Sequence, residues 1–111
     1  MAYDEDLAHR VRELLADEDG ISEMRMFGGL AFLLHGNMSV AVSSRGGLMV
    51  RVEPDETDAL LSRAHTRPFE MRGRAMAGWI RVDPEGCTTK RQLSAWVQRG
   101  VAFARTLPAK G

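Results

Sequence analysis

One cysteine, four prolines and 6% aromatic residues are all that this 111-residue chain holds of the residue types that usually betray chemistry or cross-linking. A lone Cys87 excludes an intramolecular disulfide and agrees with a reducing compartment. No apolar run approaches the length needed to cross a bilayer; the longest, Leu30 to Leu34, is strand-sized. The segment Met1-Ala2-Tyr3-Asp4-Glu5-Asp6 is acidic where a secretory signal would be basic and then apolar, so a cytoplasmic protein with no membrane partner is expected. There is no repeat and no linker, and the length suits a single domain over residues 1–111.

The formal net charge of zero hides a division along the chain. Asp4, Glu5, Asp6, Glu13, Asp17, Glu18, Asp19 and Glu23 oppose only Arg10 and Arg12 in the first 23 residues, whereas the segment from 59 onward is dominated by Lys and Arg. Such a split can steer a polyanion to the basic half, or let the acidic helix lie against that half of its own fold. Without an overall basic excess, a self-complementary or simply solvated division is the favoured reading over a nucleic-acid footprint.

Periodicity supplies the elements. Leu7, Val11, Leu14 and Leu15 follow helical spacing, with acids at the positive end of the dipole. Leu30–His35, Met38–Ser44 and Leu48–Val52 alternate as strands, separated by Gly36-Asn37 and Arg45-Gly46-Gly47 turns, and a short strand near Met24 to Phe27 precedes them. The alternation sets Met38, Val40 and Val42 on one face, and Met49 with Arg51 opposite Val50. A helix from about Asp55 to Ala64, capped by Asp55, a strand Trp79–Val82, and a helix opened by the capping-box sequence Thr89-Lys90-Arg91-Gln92 complete the chain. The expected architecture is a two-layer α+β fold, order α-β-β-β-β-α-β-α, with about five antiparallel strands.

Chemistry-bearing constellations are sparse. Gly28-Gly29 lacks the rest of a dinucleotide fingerprint, and there is no P-loop. His9, His35 and His65 lie far apart without metal-ligand spacing, and Cys87 has no histidine near it in sequence to serve as a base. Neither catalytic residues, nor a metal, nor a cofactor is therefore expected, and a small enzyme with an unrecognised pocket remains only an alternative. The methionines, Met1 apart, read best as core filler, with Met49 the best candidate for a surface role. Arg67, Arg72, Arg74 and Arg81 gather around Phe69 and Trp79, and with Arg51, Lys90 and Arg91 they form the candidate partner surface: guanidinium groups beside aromatic rings can grip phosphates or stack on bases, and can equally be a solvated rim or a charge-paired contact with the acidic first helix.

Several signposts occur together. Met26-Phe27-Gly28-Gly29, Gly36-Asn37-Met38, Leu48-Met49-Val50-Arg51-Val52, His65, Arg67-Pro68-Phe69, Gly73-Arg74 with Met76, Gly78-Trp79, and Trp96 followed by Phe103-Ala104 resemble, in order and spacing, the N-terminal domain of the TfoX/Sxy family. The resemblance implies a two-layer α+β fold and a bacterial, cytoplasmic, regulatory or protein-interaction module. In the founding competence regulators this domain precedes a separate helical domain, which the likeness does not cover, so a competence role is not carried over. The resemblance brings no catalytic residues. Another protein is the expected partner, nucleic acid bound through the arginines the alternative, and a monomer or weak homodimer the expected state.

Overall fold

A computed structural model describes residues 3–26 and 28–109; Phe27, within the Met26–Gly29 signpost, lies outside the described residues. Helix α1 (Glu5–Leu14) is capped by Asp4, whose carboxylate accepts from the amides of Asp6 and Leu7. Strands β1 (Ile21–Met26), β2 (Gly29–Leu34), β3 (Asn37–Val42) and β4 (Leu48–Arg51) follow as a meander. A 3₁₀ turn (Pro54–Glu56) runs into the short helix α2 (Thr57–Leu60), then come β5 (Thr66–Met71), β6 (Arg74–Val82), a second 3₁₀ turn (Pro84–Cys87) and helix α3 (Lys90–Arg105). All strands pair antiparallel in one sheet of order β1-β2-β3-β4-β6-β5.

The α+β class and the expected order hold, with one strand more. The sheet has six strands because β5 was hidden by Pro68, which breaks a strand pattern but is tolerated at a sheet edge, where β5 lies. Its turn to β6 is Arg72-Gly73, both at positive φ (54° and 78°), an arrangement that suits a two-residue hairpin although arginine seldom adopts it. The predicted second helix is shorter than Asp55–Ala64. Asp55 sits inside the 3₁₀ turn and makes no cap, and only Thr57 and Leu60 of α2 are buried, too little to extend a helix. The β2–β3 turn places His35 and Gly36, rather than Gly36 and Asn37, at positive φ.

One face of the sheet is covered. Phe32 pairs with Val40, Val40 with Val50, Val42 with Leu48, Val50 with Ile80 and Leu48 with Val82, so a continuous apolar surface forms across four strands. Leu93, Trp96, Val97, Val101 and Ala104 of α3 and Leu7, Ala8, Val11 and Leu15 of α1 close over it. Each fully buried aliphatic side chain stabilises by about 2 kcal/mol, so this layer is the main source of stability. α1 is tied down at both ends of the acidic segment: Arg12 holds Glu23 of β1 at 2.6 Å, and Glu18 pairs with Arg105 of α3. The charge division is thus only partly self-complementary.

Met38 departs from its expected face. The β2–β3 register shifts between Phe32 and Leu33, leaving Ser39 as the extra residue, its hydroxyl donating to the Phe32 carbonyl (2.9 Å). This bulge keeps Val40 and Val42 under the helices and turns Met38 to the other side, where it packs with Ala31, Leu33 and Ala41.

Candidate functional site

Among the described residues no helix covers the second face of the sheet. The registers run one row of side chains straight across it: Met24 beside Ala31, Ala31 beside Ala41, Ala41 beside Met49, Met49 beside Arg81, and Arg81 beside Arg67. The row is apolar at the β1 edge and cationic at the β5 edge. Ala31, Leu33 and Ala41 are only 1%, 8% and 6% exposed although, among the described residues, none from another layer packs against them. Half-buried Met26, Met38 and Met49 lie across them instead. Met24, Met71 and Met76 are exposed. The methionines are therefore not filler of the main core: they thatch the open face, where unbranched thioethers can repack around a partner. The sequence signal for Met49 was its alternation with Val50; for the others there was none.

The β5–β6 hairpin changes the shape of this face. Pairing slips between Pro68 and Glu70, and β6 bulges at Gly78, whose φ of +89° takes the chain where a side chain would strain it. Gly78 is fastened on both sides: its amide donates to the Thr57 hydroxyl (2.8 Å) and its carbonyl accepts from the Val52 amide (2.9 Å). Beyond it residues 74–77 are exposed, and Arg74 and Ala75 pair with β5 alone. The hairpin end joins Ser43, Ser44 and Arg45 of the β3–β4 turn in walling a hollow of about 430 Å³, with Met49 and Arg81 between them and Phe69, Glu70, Met71 and Arg72 on the hairpin side. A smaller cleft, lined by Met26, Met38, Ala41 and Met49, continues the hollow toward β2.

The candidate arginines are divided by the fold. Arg67 and Arg81 face each other across β5 and β6, an unfavourable pairing of like charges. Arg67 is neutralised by Asp83 (2.8 Å), whose hydrogen bond and charge raise the guanidinium pKa. Arg81, half-buried, has no such partner, and neither Arg45 nor Arg72 makes an ion pair with a described residue. Arg74 is exposed at the start of β6. Arg51 serves the fold: its guanidinium lies 5.6 Å from the Trp79 ring centre and 5.4 Å from that of Phe103, bridging the sheet to α3, while Phe69 tilts against Trp79 at 6.1 Å. Lys90 and Arg91 open α3 in the helical layer, away from the open face. Arg45 was not among the sequence candidates, because only the fold brings its turn to the hairpin.

Other features offer less. A somewhat larger hollow, about 470 Å³, lies between α3 and the Glu53–Glu56 segment, but Arg99 there is already paired with Glu56 (3.7 Å). Cys87 is 2% exposed; burial pushes its thiol up to about 11, against the attraction of Arg10, and it donates only to the Asp83 carbonyl. Such a thiol is a poor nucleophile. His9 meets Glu13 on exposed α1, and no group of three or more metal-binding side chains converges among the described residues.

No curated protein and no solved structure is significantly similar to the chain. The TfoX N-terminal domain family matches it over residues 13–104, which spans the sheet, the hairpin and nearly all of α3. The chain belongs to the TfoX N-terminal domain family.

Proposed function

We propose that this domain is a regulatory protein-interaction module whose contact surface is the open face of its sheet. The observation that carries the reading is the row from Met24 to Arg81: an apolar, methionine-thatched surface that, among the described residues, no helix covers, ending in an arginine without a counter-ion among those residues. Exposed apolar surface of this kind marks interaction sites, and methionine suits a surface that must adapt. Membership of the TfoX N-terminal domain family is consistent with a competence-regulator-like role. A cytoplasmic setting and a monomeric or weakly dimeric state belong to the same proposal; among the described residues no helix is long and apolar enough to cross a membrane.

The test is site-specific photocrosslinking in bacterial lysate with benzoylphenylalanine at Met24 or Met71 on the open face, or at Ala95, exposed on α3. A discrete protein adduct at Met24 or Met71, absent at Ala95 and resistant to nuclease, is expected. Equal adducts at all three positions would count against the reading, and adducts that vanish with nuclease would transfer the site to nucleic acid.

A further inference from the structure

The hollow between the β5–β6 hairpin and the β3–β4 turn carries more information than the open face as a whole. It combines four apolar side chains, Met49, Pro68, Phe69 and Met71, with three cations, Arg45, Arg72 and Arg81. Glu70 is the one acid on its lining, and no ion pair with a described residue occupies any of the three guanidinium groups. Its volume of about 430 Å³ lies within the range of roughly 300 to 1,000 Å³ typical of ligand sites.

We propose that this hollow binds a short acidic and apolar segment of a partner protein, with a carboxylate of that segment on Arg81 and its apolar side chains on Met49 and Phe69. The inference rests on the interaction-module reading and adds the chemistry of the partner. Charge complementarity selects the occupant. Arg67, which faces Arg81 across the strands, is already paired with Asp83, so Arg81 is the cation of this pair left to gain an ion pair from a carboxylate. A guanidinium can take a carboxylate through two parallel hydrogen bonds, and the partial burial of Arg81 limits competition from water. A second copy of this chain fits poorly, since the row it would present carries methionines, alanines and arginines but no carboxylate to set on Arg81. Nucleic acid would satisfy the cations but leave the methionines facing phosphate and sugar, and Phe69, already tilted on Trp79, is the only aromatic ring lining the hollow among the described residues.

The experiment is fluorescence anisotropy with the full chain and a fluorescein-labelled octapeptide alternating aspartate with leucine. Comparison probes are the lysine–leucine and aspartate–serine octapeptides and an eight-nucleotide thymidine strand. The aspartate–leucine peptide should bind at least tenfold more tightly than the lysine–leucine peptide and at least fivefold more tightly than the aspartate–serine one. Arg81→Glu should weaken it at least tenfold, Arg81→Gln less, and Arg91→Glu, in the helical layer, less than twofold. Circular dichroism melts of each variant separate lost binding from lost folding, and Arg72→Glu, at an exposed hairpin tip, provides an independent loss of charge. Tighter binding of the oligonucleotide, equal binding of the lysine peptide, or dimerisation by light scattering that Arg81→Glu abolishes would overturn the proposal. If no peptide binds at millimolar concentration while the Met24 and Met71 crosslinks persist, the acidic segment is wrong and the interaction module stands; if the crosslinks also fail, both fall.

Discussion

Replacing Gly100 by alanine sets two opposing effects against each other in one methyl group. Alanine is favoured over glycine inside a helix by about 1 kcal/mol, and position 100 lies well within α3, so helix propensity alone predicts a more stable protein. The packing predicts the reverse. A Cβ at Gly100 would stand 2.4 Å from the Ser39 carbonyl oxygen and 2.7 Å from Val40 Cγ1. The carbonyl belongs to backbone of the β2–β3 bulge and cannot swing aside as a side chain could, so the helix must lift by roughly 1 Å to restore van der Waals separation. A gap of that size forfeits a quarter or more of the contact energy of the neighbouring stripe, Val97, Val101 and Ala104, which is about 1.5 kcal/mol of some 6. Residual overlap adds about 1 to 3 kcal/mol. After subtracting the propensity gain, the net loss is about 1.5 to 3.5 kcal/mol, or a urea midpoint lower by about 1 to 2 M for a slope near 1.5 kcal/mol/M. Val40→Ala in the Gly100→Ala background should recover only part of the overlap, since the carbonyl contact remains. Ala102→Gly, on the exposed side of α3, should cost about 1 kcal/mol and so calibrate propensity within the same helix. A Gly100→Ala midpoint equal to or above that of the wild type would refute the claim that α3 is seated on β3 by close backbone approach.

Two further outcomes follow from buried groups. Cys87, with its thiol raised to about 11, should resist a disulfide reagent at pH 8 until urea is added. Because the neutral thiol is the form the folded protein favours, its stabilisation is complete below the unfolded value near 9 and is lost as pH rises toward 11; the loss is about 3 kcal/mol over those two units, and Cys87→Ala should show an alkaline stability decline shallower by that amount. Thr57→Val removes the acceptor of the buried Gly78 amide and should cost about 1 to 3 kcal/mol, with faster amide exchange in residues 70–77, whereas Thr57→Ser should restore both; unchanged exchange would mean that the hairpin is not anchored there.

What could be read in the sequence was whatever short-range rules decide. The start of α3 is local: Thr89 accepts from the Gln92 amide (3.1 Å) and Gln92 accepts from the Thr89 amide (3.0 Å), so four consecutive residues suffice to recognise it. The β2–β4 meander is local for the same reason, an alternation of period two between turns. β5 failed both tests, since proline and a left-handed arginine are permitted there only by an edge position and a neighbouring strand far along the chain. The candidate site lies further still from local rules. Its row takes one residue from each of six strands, and the side of Met38 depends on a bulge that no residue of β3 announces. A catalytic motif survives as a string because its spacing is fixed by chemistry, whereas a binding face assembled by register appears in the sequence only as scattered methionines and arginines. That is why the arginines other than Arg45 could be named from the sequence but not sorted. Long-range pairing assigns Arg51 to its aromatic rings, Arg67 to Asp83 and Lys90 and Arg91 to the helical layer, and leaves Arg81 beside the methionines with its charge unmatched among the described residues.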